Sequence, residues 1–336
     1  MTARKQELLD GLLTFFLAER PGTERPSSYE EGRNLLRALL NIRAPRPVPE
    51  SVLKLQDELL TLEQEEKGVM HVENLPAADC ALNSPLPHAG RMILWKGDIT
   101  RLDADAIVNA ANSAMMGCFA PLHNCIDNII HSAAGVRLRQ TCHDMMLTDF
   151  PSGDWKEPAG RARATPGFNL PCRYVFHTVG PIVSGPLREE HRVLLTSCYT
   201  SCLELAREKH CRSLAFCCIS TGEFRFPREE AAHIALAAVT DWMNANPQSG
   251  LSLMSLRSRT MTSIHSCCPA VLRDEGAAPD ILRRWLNEAS FVLAGIGAGL
   301  SASAGLNYLD ENFFRTCFPA HAASGIRSAW EAVGRY

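Results

Sequence analysis

Two thiols and an imidazole stand within eight residues of one another: Cys118, His123 and Cys125, in the spacing C-x4-H-x-C. Thiolate sulfur and imidazole nitrogen are donors that zinc prefers. No fourth donor is obvious nearby, so such a set leaves one coordination position open. An open position marks a catalytic metal, because water or substrate can occupy it. The competing reading is that these cysteines are small core hydrophobes in a chain that has 13 of them. Asp127 and Asn128 follow at once, either as partners of the ligands or as polar residues at a helix start.

Three other loops carry polar or glycine residues after apolar runs. In Lys96-Gly97-Asp98-Ile99-Thr100, Gly97 allows a sharp exit and the Asp98 carboxylate can accept from an exocyclic amine. The same pair also suits an ordinary turn. Asn109-Ala-Ala-Asn112 sets two carboxamides three residues apart, which suits ribose hydroxyls, an Asx turn or a helix N-cap. Ser220-Thr221-Gly222-Glu223-Phe224-Arg225-Phe226-Pro227 leads into a helical stretch. Its backbone amides can hold a diphosphate, and Phe224 and Phe226 can cover a sugar.

The elements that must position these loops alternate. Strands are predicted at 92–95, 106–108, 174–178 and 214–219, and helices at 125–138, 189–209 and 228–244. That order predicts an α/β domain with a largely parallel sheet, whose ligands bind beyond the carboxyl ends of the strands. Before it, leucines recur at helical spacing over 4–19, 28–42 and 49–66, with breaks at Pro21, Pro26 and Pro45-Arg-Pro47-Val-Pro49. These helices carry no evident chemistry and read as an extension that covers the main domain.

Composition bounds the rest. The chain has 336 residues, 46% hydrophobic and 21% charged, which is a soluble globular balance. No apolar run is long enough to span a membrane. Glu7, Asp10 and Glu19 interrupt the leucines and phenylalanines of the first 20 residues, so these read as an amphipathic helix and not a signal peptide, pointing to the cytoplasm. A net charge of −3 provides no general attraction for nucleic acid. The odd cysteine count suits buried thiols and a metal site better than a disulfide framework.

Taken together and in order, Gly97-Asp98-Ile99-Thr100, Asn109-Ala-Ala-Asn112 and Ile219-Ser-Thr-Gly222 with Phe224 resemble the ADP-ribose signature of the macrodomain family. The insertion Gly117-Cys-Phe…Pro121-Leu-His123-Asn-Cys125-Ile-Asp-Asn128 resembles its zinc-dependent branch. The resemblance covers about residues 70–250. It implies a three-layer α/β/α sandwich that hydrolyses the bond between mono-ADP-ribose and a modified protein. It assigns Asp98 and Ile99 to adenine and Asn109 and Asn112 to the distal ribose. Ser220, Thr221, Gly222, Glu223 and Phe224 would wrap the diphosphate and distal ribose, and Cys118, His123 and Cys125 would hold zinc beside the anomeric carbon. Asn112 and Asp127 are the candidate catalytic side chains. The alternative is a module that reads ADP-ribose without cleaving it; a third reading is an inert product of gene prediction.

A second resemblance lies near the end. Phe291-Val-Leu-Ala-Gly295-Ile-Gly297-Ala-Gly299-Leu-Ser301-Ala-Ser-Ala-Gly305, with Phe313-Phe314 and Phe318-Pro319 beyond, resembles the opening of a sirtuin. It implies an incomplete Rossmann-like βα fragment over 271–336, without deacylase or transferase activity of its own. Zinc macrodomains of this branch are often encoded beside, or fused to, an ADP-ribosylating sirtuin, so such a transferase is the implied partner. The expected division is a helical extension at 1–70, the macrodomain at 71–270, and the fragment at 271–336. Within it, residues 250–270 are rich in Ser, Thr and Arg and have a poor strand pattern where the fold wants a final apolar strand. A neighbouring frame would read as an apolar strand and an acidic turn, so the stretch reads as frame-shifted or mis-spliced.

Overall fold

A computed structural model describes residues 2–79, 87–95, 97–249 and 251–256. The chain begins with three helices, α1 (Thr2–Ala18), α2 (Tyr29–Ile42) and α3 (Glu50–Lys67). The Ser28 hydroxyl caps α2 by accepting from the Glu31 amide. Leu8, Leu12 and Phe16 of α1 meet Leu36 and Leu39 of α2 and Leu59 of α3 in a core of their own. The extension is therefore a packed helical unit, with burial of its leucines as its main support.

The rest of the described chain is a six-stranded sheet with helices between its strands. The strands are β1 (Met92–Trp95), β2 (Ala106–Ala111), β3 (Ala162–Pro166), β4 (Tyr174–Val179), β5 (Ser213–Phe216) and β6 (Ser252–Leu256). Their spatial order is β1-β6-β5-β2-β4-β3. All neighbours pair parallel except β3, which runs antiparallel to β4 at the edge. The helices are α4 (Ile126–Ala134), α5 (Val136–Asp149), α6 (Glu189–Glu208) and α7 (Arg228–Ala245). Four successive residues of β2 and five of β4 are buried, so both faces of the central sheet are covered. This is the expected three-layer α/β/α arrangement. No helix among the described residues is long and apolar enough to cross a membrane.

Three details differ from the sequence reading. The single helix expected at 125–138 is two helices, broken at Gly135, which adopts φ +89°. A Cβ there would lie 2.6 Å from Gln56 Oε1, so the break also lets α3 approach closely. Strand β3 was not expected, because an edge strand needs no apolar run on both faces. Residues 252–256, expected to make a poor strand, instead fill the slot between β1 and β5, with Leu253 opposite Met92 and Leu214. Backbone pairing on both sides supplies what the side-chain pattern does not advertise. The remainder of the stretch to residue 270, and the expected Rossmann-like fragment at 271–336, lie outside the described residues.

Candidate functional site

The four loops singled out in the sequence leave the carboxyl ends of parallel strands. Asp98 follows β1, Asn109 and Asn112 close β2, and Ser220–Phe224 follow β5. Between β1 and β2 lie β6 and β5, so the two ends of the site are three strand spacings apart, about 14 Å. A ligand that uses both ends is elongated, with the loop after β5 under its middle.

At the β1 end, Asp98 Oδ1 accepts from the Thr100 amide at 3.0 Å and from Thr100 Oγ1 at 2.6 Å. The carboxylate caps a short 3-10 turn with one oxygen. The other makes no hydrogen bond among the described residues, and the next residue, Ile99, is 1% exposed. Asp98 and Thr100 border a hollow of about 410 Å³ whose far wall is α2 and α3, including Arg33, Arg37 and Glu63. The extension therefore walls a hollow beside Asp98, which its leucine pattern did not suggest.

The loop after β5 is turned by two left-handed residues, Ser220 (φ +63°) and Arg225 (φ +57°). Its closure is internal: Phe226 N donates to Ser220 O and Arg225 N to Gly222 O, both at 3.0 Å. Val183 N donates to Phe224 O at 2.9 Å and fixes the neighbouring loop. The amides of Gly222, Glu223 and Phe224 find no acceptor among the described residues, and space around Gly222 is open. That is the arrangement an anion needs. Ser220 is buried with its hydroxyl unpartnered. Phe224 is half-buried, whereas Phe226, also proposed to cover a sugar, is 2% exposed and belongs to the core.

At the β2 end, Asn109 is wholly buried. Its amide donates to Asp127 Oδ1 at 2.8 Å and to His177 Nδ1 at 3.1 Å, while its Oδ1 has no partner. Asn112 is half-buried and donates to Asp127 Oδ2 at 3.3 Å and to Gly117 O at 2.9 Å. Asp127, on the first turn of α4, thus grips both carboxamides with its two oxygens. Burial pushes its carboxyl up to about 6, against the pull of Asn109 and Arg139. His177 passes the chain on: its Nε2 lies 2.9 Å from Thr165 Oγ1. Because Asn109 donates to Nδ1, the proton sits on Nε2. Burial drives the His177 pKa down to about 4 and holds His131 well below 6.5, so both rings are neutral. His131, Cys142 and His177 bring potential donor atoms within 4.8 Å of one another in the core. Of the three, His177 is committed to Asn109 and Thr165, whereas neither ring nitrogen of His131 has a hydrogen-bond partner.

The three sulfur and nitrogen donors of the C-x4-H-x-C stretch converge, with ligand atoms within 4.8 Å of one another. Cys118 Sγ stands 3.6 Å from His123 Nδ1. A tetrahedral zinc with ordinary Zn–S and Zn–N bonds separates a thiolate from an imidazole nitrogen by about 3.6 Å, so the donors fit this metal. The other nitrogen, His123 Nε2, faces Glu223 Oε1 at 3.6 Å, which joins this loop to the one after β5. Cys125 Sγ accepts from the Asn128 amide and caps α4; burial pushes its thiol up to about 11. Gly117 (φ +76°) carries the loop across His131, where a Cβ would stand 2.9 Å from the ring. No disulfide joins any of the nine described cysteines.

The sequence reading missed His131, His177 and Arg139. The i, i+4 spacing of Asp127 and His131 was a signal for the first of these. Nothing in sequence joined Asn109 to His177.

The fold and its loops define an α/β domain that receives an elongated ligand across the carboxyl ends of its strands. The macro domain profile matches residues 108–235. A protein of Treponema medium named protein-ADP-ribose hydrolase is 45% identical over 249 residues, covering 73% of this chain and 91% of that protein. The chain belongs to the macro domain family. It is also 37% identical over 322 residues to a protein of Fusarium oxysporum f. sp. cubense named probable bifunctional ADP-ribose hydrolase/ADP-ribosyltransferase. That match takes in 89% of this chain and 53% of the fungal protein, so the chain spans about half of that relative. Among solved structures, a Trypanosoma brucei macrodomain in complex with ADP aligns with a TM-score of 0.50 at 25% identity, covering 70% of this chain and 96% of the other.

Proposed function

We propose that this chain hydrolyses the bond between mono-ADP-ribose and a modified protein side chain, with zinc held by Cys118, His123 and Cys125, and that it reverses sirtuin-type ADP-ribosylation. The observation that carries the reading is the convergence of those three donors beside the Asn112–Asp127 pair, at the far end of the cleft from Asp98. A module that only reads ADP-ribose has no use for an open-site metal there. The bacterial relative named protein-ADP-ribose hydrolase supports the same activity.

In this reading the free oxygen of Asp98 accepts from the adenine amine, with the Ile99 amide assisting. The free amides of Gly222, Glu223 and Phe224 hold the diphosphate, with Ser220 and Thr221 shaping their loop. Asp127 is a positioning residue: with both oxygens on amide hydrogens it fixes the two carboxamides, leaving the Asn109 carbonyl oxygen open to a donor such as a ribose hydroxyl, while the Asn112 carbonyl oxygen accepts from the Ala114 amide at 3.1 Å. Glu223 orients His123 through the nitrogen that faces away from Cys118. Zinc, when bound, supplies a Lewis acid with a position open to an oxygen at the reacting sugar. In the net reaction water's oxygen bonds to the anomeric carbon and the bond to the protein side chain breaks. The released electron pair and a proton from water go to that side chain.

The transferase link rests on the C-terminal residues. The fungal relative's name joins both activities, and residues 1–270 alone could not supply the 89% of this chain that matches it. The glycine-rich stretch from Gly295 to Gly305 falls in that remainder.

The test is release of ADP-ribose from a protein mono-ADP-ribosylated by a sirtuin-type transferase, before and after chelation. Release that chelation abolishes and zinc restores is the expected outcome. Tight binding of ADP-ribose without release makes the chain a reader. Release that survives complete removal of zinc takes the metal out of the mechanism.

A further inference from the structure

The loop that carries the three metal donors has little regular structure of its own. From Asn112 to Cys125 the backbone forms neither helix nor an extended strand ladder, and Met115, Gly117 and Leu122 all sit at positive φ. Such a segment must satisfy its amides and carbonyls through side chains from elsewhere. Those side chains come from three helices. Asn128 of α4 donates to Ala120 O at 2.9 Å. Arg139 of α5 donates to Met116 O at 2.8 Å and reaches Cys118 O at 3.4 Å. The remaining two come from α2, more than 80 residues upstream. Arg37 Nη2 donates to His123 O at 3.0 Å and to Asn128 Oδ1 at 2.9 Å, and Asn41 Oδ1 accepts from the Leu122 amide at 3.0 Å.

Helix α2 is a firm platform for this. Leu36 and Leu39 anchor it in the core of the extension, and Asn41 is itself 2% exposed. Its C-terminal end is bolted to the same loop from the other side. The Arg139 guanidinium collects the carbonyls of Leu40, Asn41 and Arg43 at 2.8 Å each, in addition to Met116 O. The carbonyl end of a helix is a favourable place for a buried cation. Arg37 and Asn41 are one helical turn apart, so they form a single polar stripe against residues 122–123, where the imidazole donor sits.

From this we infer that helix α2 is the brace of the metal site: Arg37 and Asn41 are positioning residues that hold the His123 segment in the geometry that retains zinc. The inference rests on the zinc reading above. The extension is then part of the functional unit, and not merely cover for the domain behind it.

The experiment uses the full chain loaded with zinc. The variants are Arg37→Met, Asn41→Ala, the pair together, and Arg37→Lys, which keeps a charged donor on a similar stem. Arg4→Ala is the control, since Arg4 lies on α1 and pairs with Glu7 and Glu58, far in sequence from the loop. Zinc retention is read as the rate of transfer to a chromogenic chelator, and donor geometry as the visible spectrum after cobalt substitution. Partners that orient metal ligands typically contribute 10–100-fold to affinity. Zinc loss at least tenfold faster is expected for Arg37→Met and for Asn41→Ala, with an altered cobalt spectrum, slower loss in Arg37→Lys than in Arg37→Met, and a wild-type rate in Arg4→Ala. A single cooperative thermal unfolding transition is expected in each single variant, which shows that the fold survives. Arg37 is half-buried, so Arg37→Met tests the idea even if the paired variant does not fold. Wild-type zinc with unchanged retention and cobalt spectrum in the folded single variants overturns the brace alone. A wild-type chain that holds no zinc overturns the metal reading, and the brace with it.

Discussion

His177 links the site to the core, and its burial makes a quantitative prediction. The ring is fully buried, held between the Asn109 amide and Thr165. Burial lowers its pKa from 6.5 to about 4. Between those values the unfolded chain binds a proton that the native chain refuses, so stability falls as pH falls. The contribution is complete above pH 6.5 and lost by about pH 4, and it corresponds to about 3 kcal/mol. Other groups that face this region also titrate. His131, 6.0 Å away between ring centroids, acts in the same direction, while Asp127, raised to about 6, acts in the opposite one. Arg139 and the Cys142 thiol keep one charge state across this range. The wild-type curve alone is therefore a mixture, and the comparison to make is with His177→Gln. Urea unfolding free energies of both proteins would be measured every half pH unit from 7.5 down to 4. The gap between the curves should narrow by about 3 kcal/mol on acidification, because only the wild type loses the His177 contribution. Parallel curves would refute the argument and show that His177 is protonated in the native state or exposed to solvent.

Two substitutions test the other ends of the cleft. Gly180→Ala places a Cβ 2.0 Å from Ser220 Oγ and 2.9 Å from Ile219 Cγ2, which forces the loop after β5 to move. Overpacking of this kind costs about 1–3 kcal/mol, and ADP-ribose affinity measured by calorimetry should fall by about tenfold or more. Asp98→Ala removes a turn cap, for about 1 kcal/mol in stability by urea unfolding. It should also weaken ADP-ribose binding by at least tenfold, whereas unchanged binding would leave Asp98 with only its capping role.

The parts of the fold that sequence revealed were those whose burial leaves a pattern. β1, β2, β4 and β5 are apolar runs that end in polar loops, and each loop was placed correctly at a strand's carboxyl end. β3 was invisible because Ala162-Arg-Ala-Thr-Pro166 is an exposed-edge sequence that owes its conformation to pairing with β4. β6 was misjudged for a related reason: the backbone slot between β1 and β5 selects it, and its own residues do so only weakly. Gly135 showed no break in the hydrophobic pattern, since Ile130, Ala134 and Leu138 keep helical spacing across it. The convergence of Cys118, His123 and Cys125 was legible because residue types and spacing are local. The network behind them was not, because Asn109, Asp127 and His177 meet only when β2, α4 and β4 come together. The leucines of α2 advertised the face that packs, while nothing in the sequence joined Arg37 and Asn41 to residues 122–123, more than 80 positions downstream.

In the proposed function, the three donors of the loop after β2 make this macro domain an enzyme. The most direct measurement is made on the purified chain beside a Cys118→Ala, Cys125→Ala double variant. Each would be assayed for zinc content, for ADP-ribose affinity, and for release of ADP-ribose from a mono-ADP-ribosylated protein. About one zinc per wild-type chain and none in the variant is expected, with release lost and ADP-ribose binding kept. A wild-type chain that binds ADP-ribose with neither zinc nor release, or a folded variant that releases ADP-ribose as fast as wild type, would contradict it.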